Sequence, residues 1–143
     1  MALKQISVLI ENTRGSLVRV TDALAARGVN IRALSMADTE HFGILRMILT
    51  DNRVAEEILK ELGVITQETE VIGVKIGDQP GKLSAALHVL AEADINIEYL
   101  YAFFARTERH AYVVIRVADN AQAEKVLTDA GFYMISDEDI GKL

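Results

Sequence analysis

The sequence carries one pattern twice, and this repeat restricts the folds that the chain can adopt. Residues 8–36 align with 74–102 without a gap, and nine of the 29 aligned positions are identical. Residues 51–63 align in the same way with 119–131, with six of 13 positions identical. The repeat predicts two similar units in tandem, and a groove shared by two similar units is a natural place for a ligand.

The length and composition favour two small units that need no disulfide bond or structural metal ion for stability. We place the boundary between residues 1–70 and 71–143. The sequence contains no cysteine, which excludes disulfides, zinc–thiolate sites and thiol nucleophiles. It has no signal-peptide pattern and no apolar run of the roughly 18 residues that a membrane helix needs. We therefore expect a cytoplasmic protein without a membrane partner.

The net charge argues against nucleic acid as a partner. The chain has a formal net charge of −6, and both halves contain more acidic than basic residues. RNA-binding domains built on a small antiparallel sheet also place aromatic residues on the central strands, where this sequence has only Tyr112. We expect no nucleic-acid partner.

Each half has the pattern strand–helix–strand–strand–helix–strand. In the first half, apolar periodicity predicts elements at 6–10, 16–27, 31–37, 43–50, a helix from 51 or 52 to 62, and 64–68. In the second half, it predicts elements at 71–76, 82–93, 97–104, 111–117, a helix from 119 or 120 to 130, and 132–135. A hairpin is expected at 105–110, and the last eight residues are expected to fray.

The order of these elements predicts the fold class. A right-handed strand–helix–strand crossover places both helices of a unit on one face of its sheet. The predicted fold is α+β, with two ferredoxin-like βαββαβ units side by side, each with an antiparallel sheet and its helices on one face. The opposite face is also apolar, with Tyr99, Tyr101 and Phe103 on one strand. An uncovered apolar face predicts a homodimer through it, and the alternative is ordinary scattered apolar surface.

A glycine turn joins the first strand of each half to its helix. The turns read Asn12-Thr13-Arg14-Gly15-Ser16-Leu17 and Asp78-Gln79-Pro80-Gly81-Lys82-Leu83. Glycine permits a backbone conformation that a Cβ would disfavour, and free N–H groups at the helix start suit a carboxylate. Asn12 and Asp78 suit an ammonium group, so the two turns fit an α-amino acid. The alternative is that these two side chains only shape the turn or cap the helix.

Matching asparagines, Asn30 and Asn96, stand where the second strand of each half begins. Each is a candidate to hydrogen-bond a ligand, and each is equally suited to bond with loop backbone groups. Because the first and second strands are joined through one helix, we expect each asparagine at the same end of the sheet as the glycine turn.

These motifs resemble the ACT domain, a ligand-binding regulatory module of amino-acid metabolism. The pattern is D/N-x-x-G-x-L, a helix, and then Val29-Asn30-Ile31 in the first half and Ile95-Asn96-Ile97 in the second. Almost the whole chain, from about residue 6 to 135, is similar to proteins made of two ACT domains. The Asp-x-Pro-Gly of the second half is nearer to the usual form, and Arg14 in place of Pro80 is a departure that could bias the two sites toward different occupancy.

The resemblance implies a regulatory protein without catalytic activity, cofactor or metal. It implies that an amino acid binds in the groove between paired ACT domains, and by matched position it points to Asn12, Gly15, Asn30, Asp78, Gly81 and Asn96. With the neighbouring Arg14, Ile31 and Ile97, the candidate ligand-binding residues number nine. Short apolar residues nearby favour a small or branched aliphatic amino acid. An enzyme of amino-acid metabolism is a possible partner, and the alternative function is a regulatory subunit that docks such an enzyme without binding a ligand itself.

The sequence offers little support for an enzyme. The three histidines, His41, His88 and His110, share no metal-ligand spacing, and no phosphate loop, nucleophile elbow or dinucleotide fingerprint is present. Arg14 and Asn30 superficially match the arginine–asparagine pair of an acyl-phosphate hydrolase, but the second copy has proline in place of the arginine. Arg106, Glu108 and Arg109 are expected to form a solvated hairpin tip.

Overall fold

A computed structural model describes residues 2–104 and 110–142 and divides the chain into two compact units. The N-terminal unit is Lys4–Thr69, and the C-terminal unit starts at Glu70 and includes Leu3. In chain order the elements are β1 (Leu3–Glu11), α1 (Ser16–Ala26), β2 (Ile31–Asp38), β3 (Phe42–Leu49), α2 (Asn52–Glu61), β4 (Ile65–Gly77), α3 (Lys82–Glu92), β5 (Tyr99–Phe104), β6 (His110–Arg116), α4 (Asn120–Asp129), β7 (Tyr133–Ile135) and α5 (Asp137–Lys142). None of the helices within the described ranges has the length and apolar character that a membrane span requires.

In the N-terminal unit, β3 lies between β1 and β2 and is antiparallel to both. Met47 of β3 pairs with Ile6 of β1 on one side and with Leu34 of β2 on the other. Helices α1 and α2 lie on one face of this sheet, because their apolar residues share one core with alternate residues of β1 and β3. The buried members of this core include Ile6, Val8, Ile10, Val20, Leu24, Leu45, Met47, Ile58 and Leu59.

The C-terminal unit repeats this arrangement. Strand β6 lies between β4 and β5 and is antiparallel to both, and β7 pairs with β4. Helices α3 and α4 cover one face, over a core that includes Ile72, Val74, Ile76, Ala86, Leu90, Val113, Ile115, Ala123, Leu127 and Met134. Both units therefore have the ferredoxin-like βαββαβ fold that the sequence predicts.

Strand β4 is longer than the sequence pattern indicates. We expected one strand to end at residue 68 and another to begin at 71, but β4 runs without a break from Ile65 to Gly77. The residues between the two predicted strands include no glycine or proline, and threonine and valine favour the extended conformation. No residue in the segment interrupts the strand.

The end of the chain forms helix α5, where the sequence analysis expected fraying. Ser136 and Asp139 form a capping box, in which the N–H of Ser136 donates to Asp139 Oδ2 over 2.9 Å and the N–H of Asp139 donates to Ser136 Oγ over 3.2 Å. Ile140 anchors the helix with an exposed fraction of only 3%. The predicted hairpin at 105–110, with its charged tip, lies outside the described residues except for His110 at the start of β6.

The sheet faces opposite the helices are less open than expected. Phe103 stacks on Tyr112 with ring centroids 5.4 Å apart, and Tyr101, Tyr112 and Val114 are already buried within the single chain. The exposed apolar side chains of β2, Leu34 and Met36, pair with core residues of β3 and so belong to the helix-bearing face. The homodimer therefore stays a prediction, without a broad exposed face at these strands to support it.

The first helix of each unit ends in the same hydrogen-bonded motif with a different residue. Gly28 has φ 73° after α1, and its N–H donates to the carbonyl of Ala25. Asp94 has φ 59° after α3, and its N–H donates in the same way to the carbonyl of Ala91. Left-handed backbone is unstrained for glycine and costly for a residue with a Cβ.

We expect Asp94→Gly to stabilise the protein by about 0.5–1 kcal/mol, because it removes the left-handed strain at this helix end. The free energy of unfolding in urea measures the effect. Gly28→Ala, at the matching position of the N-terminal unit, is expected to lower stability. A destabilised Asp94→Gly protein would mean that the Asp94 side chain makes a stabilising contact that outweighs the strain.

Acid is expected to destabilise helix α5, because protonation of Asp139 weakens the hydrogen bonds that cap it. Hydrogen bonds from the N–H and hydroxyl of Ser136 hold the pKa of Asp139 below its ordinary value of 3.8. The stability that this carboxylate contributes is thus complete above pH 3.8 and is lost as the pH falls through the lower pKa of the folded state. The protection factor of the Ile140 amide, which is its exchange rate relative to that of an unfolded chain at the same pH, should fall in that range. Asp139→Asn should lower this protection at neutral pH and remove its dependence on pH near 3.8.

Candidate functional site

The two glycine turns have the same backbone conformation. Gly15 precedes α1 with φ 86° and ψ −7°, and Gly81 precedes α3 with φ 88° and ψ −9°. Neither helix start has a side-chain cap. Left-handed dihedral angles favour glycine strongly, so the repeated glycines serve one backbone geometry at the same strand–helix junction.

Both turns leave space in front of the helix start. Apart from the two adjacent residues, a Cβ added to Gly15 or Gly81 would meet no atom of the described residues within 4 Å. The first helical amide is used by the turn itself, because the N–H of Ser16 donates to the Thr13 carbonyl and that of Lys82 to the Gln79 carbonyl, each over 3.2 Å. The next two amides of each helix have no backbone acceptor among the described residues, as is usual in a first helical turn.

The turn of the N-terminal unit opens into a pocket of about 510 Å³. This volume lies within the range of small-molecule sites. The pocket lies at the end of β1, between the first turn of α1 and the residues that follow α2. Its lining residues are Leu9, Ile10, Glu11, Arg14, Gly15, Ser16, Arg19, Val20, Phe42, Leu62, Gly63, Val64 and Ile65. We call this the Arg14 pocket.

Charges of both signs line the Arg14 pocket. Arg14 and Arg19 are cationic, and Glu11 is anionic. Arg19 Nη2 donates to the backbone carbonyl of Leu62 over 2.9 Å, which holds the C-terminal end of α2 against α1. A guanidinium has five N–H donors, so this bond leaves donors of Arg19 for a ligand. Phe42 and Ile65 add apolar surface, with 45% and 69% of their area exposed.

Asn12 has a structural role beside the turn. Its backbone N–H donates to the carbonyl of His41 over 3.0 Å, and its side-chain Nδ2 lies 3.5 Å from the carbonyl oxygen of Thr39. These contacts tie the turn to the β2–β3 connection, which favours the turn-shaping interpretation of this residue. Asp78, its counterpart in the C-terminal unit, is exposed.

Asn30 and Asn96 lie at the end of their sheet opposite the glycine turn, so the expectation of a shared end was wrong. The N–H of Asn30 donates to Thr50 Oγ1 over 2.9 Å, beyond the end of β3, whereas Glu11 pairs with Phe42 at its start. The eight residues of β3 span about 26 Å at 3.3 Å per residue. The physical reason is that α1 runs back along the sheet, so the parallel strands β1 and β2 begin at the same end.

In the C-terminal unit, Asn96 and the glycine turn at Gly81 also lie at opposite ends of the sheet. The N–H of Glu98, two residues after Asn96, donates to the carbonyl of Arg116 at the end of β6, whereas Gly77 pairs with His110 at its start. Asn96 lies in a second pocket of about 290 Å³ with Asp94, Ile95, Glu98, Ala118, Asp119 and Gln122. Ile31 and Ile97 are half-buried and pack against the two cores. Neither the two asparagines nor the two isoleucines join a glycine turn within one unit.

Sequence reasoning missed part of the Arg14 pocket. Arg19, Phe42 and Ile65 line it but belong to no motif, because they come from α1, β3 and β4. For Phe42 a signal exists in the strand pattern, since antiparallel pairing of the first and third strands places it opposite Glu11. In residues 2–104 and 110–142 no group of three histidine, aspartate or glutamate side chains is placed to hold a metal ion.

The fold and the turns define a class of protein with two ferredoxin-like units, each with a left-handed glycine between its first strand and first helix. The whole chain, residues 1–143, matches the family described as the ACT domain pair, and the chain belongs to this family. This confirms the resemblance that the two motifs carry.

Individual relatives agree with this assignment. The chain is 35% identical over 69 residues to a probable acetolactate synthase small subunit from Archaeoglobus fulgidus, a match that covers 46% of this chain and 43% of that protein. The chain thus spans less than half of that relative. A solved protein from Bacteroides thetaiotaomicron is 34% identical with a TM-score of 0.93, covering 100% of this chain and 98% of the other. The ligand-free regulatory subunit of aspartate kinase from Thermus thermophilus, at 21% identity, shares the fold, with a TM-score of 0.66 over 90% and 92% of the two chains.

Gly15→Ala and Gly81→Ala are each expected to cost about 1–2 kcal/mol of stability and to leave the protein folded. The strain is expected to be equal because the two turns have nearly the same φ, 86° at Gly15 and 88° at Gly81. Urea unfolding of the two variants measures both costs. A cost confined to one turn would contradict their equivalence.

Proposed function

We propose that this chain is a non-catalytic regulatory protein of the cytoplasm that binds an α-amino acid through its ACT units. The observation that carries the proposal is the Arg14 pocket, which joins a left-handed glycine turn to charges of both signs. The carboxylate of an amino acid fits Arg14 and the free amides at the start of α1, and its ammonium group fits Glu11. The apolar residues Phe42, Leu62, Val64 and Ile65 favour an aliphatic side chain.

The positions of the asparagines favour binding across two paired ACT units. Gly15 and Asn30 lie near opposite ends of a sheet about 26 Å long, far beyond the reach of one amino acid. A ligand that touches both kinds of residue would therefore need the glycine turn of one unit and the second strand of another. A homodimer would supply such a second unit. In this proposal the second strand of a paired unit, with Asn30 and Ile31 or with Asn96 and Ile97, lies opposite Arg14 and Gly15, and Asn12 shapes their turn. Asp78 and Gly81 form the corresponding turn of the C-terminal unit.

Amino-acid binding would regulate through a shift in population. A ligand that binds one arrangement of paired units more tightly than another stabilises that arrangement by its difference in affinity. Coupling of about 1–3 kcal/mol is typical of allosteric proteins and suffices for a several-fold effect on a partner enzyme. The proposal therefore needs no large conformational change inside either unit.

A second candidate is a regulatory subunit that docks an amino-acid biosynthetic enzyme without binding a ligand. The observation in its favour is the similarity to a protein described as a probable acetolactate synthase small subunit. We therefore propose an enzyme of this kind as a partner in both versions of the function.

Calorimetric titration of the full chain with each of the twenty amino acids tests the proposal. We expect heat from one or a few aliphatic amino acids and a fall in affinity of about tenfold or more for Arg14→Ala, because a charge-assisted hydrogen bond is lost. Sedimentation with and without the active amino acid tests for a homodimer.

Arg53→Ala is the matched control, since it removes an exposed arginine of α2 that lies outside the Arg14 pocket. It should leave the affinity unchanged. Silence with all twenty amino acids would contradict the ligand proposal. If a complex then forms with the acetolactate synthase catalytic subunit from the same genome, the second candidate gains the support.

A further inference from the structure

We infer that the two halves of this protein are unequal, and that each chain binds one amino acid at the Arg14 pocket and none at the corresponding place beside Gly81. The inference rests on the proposed function and specifies where the ligand binds and how many bind. It follows from a comparison of the residues around the two glycine turns, which share their backbone geometry but not their surroundings.

The charged residues of the Arg14 pocket have no counterparts of the same charge in the C-terminal unit. In the alignment of 8–36 with 74–102, Glu11 matches a glycine, Arg14 matches a proline and Arg19 matches an alanine. Both cations and the anion of the pocket are therefore missing beside Gly81. The C-terminal turn has two other charges instead, the exposed Asp78 at the position of Asn12 and Lys82 at the position of Ser16.

The side chain of Lys82 lies across the end of β4. A Cβ added to Gly77, the residue that matches Glu11, would lie 3.3 Å from Lys82 Cγ and 3.6 Å from both Cδ and Cε. The aliphatic part of this exposed lysine therefore lies in van der Waals contact with the place where a side chain at the Glu11 position would begin. In the N-terminal unit the matching residue is the shorter Ser16, which lines the pocket.

Larger residues also stand at the positions that match the apolar side of the Arg14 pocket. When the alignment of 51–63 with 119–131 is continued, Val64 and Ile65 match Phe132 and Tyr133. The hydroxyl of Tyr133 donates to Asp139 Oδ2 of α5 over 3.1 Å, and 56% of this tyrosine is exposed. Lys75, which matches Leu9, places its Nζ 6.0 Å from the centre of the Tyr133 ring.

Helix α5 adds to this difference, because the first half has no element that corresponds to it. The helix begins after β7 with the capping box of Ser136 and Asp139. The same Asp139 carboxylate also accepts the hydrogen bond from the Tyr133 hydroxyl. The C-terminal copy thus has a tyrosine bonded to its own helix where the N-terminal copy has an isoleucine that lines the Arg14 pocket.

The charges of the Arg14 pocket also select the chemical class of the ligand. An α-amino acid presents a carboxylate to Arg14 and an ammonium group to Glu11. The 2-oxo acid with the same carbon skeleton keeps the carboxylate but has no ammonium group, so the Glu11 carboxylate would face an uncharged carbonyl. We therefore expect amino acids to bind at least about tenfold more tightly than the corresponding 2-oxo acids.

Calorimetry of the full chain with valine, leucine and isoleucine, and with their 2-oxo acids, tests the inference. We expect one amino acid bound per chain. Arg14→Ala should weaken binding by about tenfold or more, and Glu11→Gln should narrow the preference for the amino acid over its 2-oxo acid. Pro80→Arg, which restores the cation at the matching turn, should change neither the affinity nor the stoichiometry, because Gly77 still stands where the N-terminal unit has the Glu11 carboxylate.

Two sites per chain would overturn the inference, and so would normal binding by Arg14→Ala together with weakened binding by Gly81→Ala. Either result would leave the proposed amino-acid binding intact, because a ligand would still bind. A stronger affinity for the 2-oxo acids would overturn the assigned ligand class. Complete silence with a folded protein would contradict the proposed function itself, and the two failures are therefore distinguishable.

Discussion

The left-handed glycine between the first strand and first helix of each unit is the constraint on which the rest of the structure depends. Gly15 and Gly81 turn the chain sharply enough for α1 and α3 to begin next to the sheet end, where the second and third amides of each helix have no backbone acceptor among the described residues. The helices then return along the sheet and bury Val20, Leu24, Ala86 and Leu90 against it. One backbone conformation thus positions both the core-forming helix and the polar groups that a ligand can reach.

The direction of that helix has a functional consequence. Because α1 carries the chain back by the length of the sheet, Asn30 begins β2 at the end remote from Gly15. The glycine and the asparagine, which recur in both halves, cannot meet inside one unit. A ligand that touched both of these residues would therefore have to contact two units, as the proposed function assumes.

The two copies show how a duplicated fold can keep its backbone and change its surface. The two turn glycines have nearly identical dihedral angles, and helix caps recur at Asp51 and Asp119, whose side chains each accept a backbone N–H over 3.1 Å. Residues that touch solvent have diverged, however. Arg14 in one turn corresponds to Pro80 in the other, and an isoleucine in the first half corresponds to a tyrosine bonded to α5 in the second. The backbone of the turn is thus the same in both copies, whereas charged residues that line the Arg14 pocket differ from their counterparts.

The sequence by itself determined the duplication, the βαββαβ order, the positions of the helix caps and the glycine turns, because these depend on periodicity and on local backbone preferences. It also carried a signal for α5 in the Ser136–Asp139 capping box, which the sequence analysis overlooked. Only the tertiary structure decided that Arg19, Phe42 and Ile65 share a pocket with Gly15 and that Asn30 does not. Strand pairing and helix direction bring distant residues together, and neither can be read from local sequence, since a contact between remote segments depends on the whole fold.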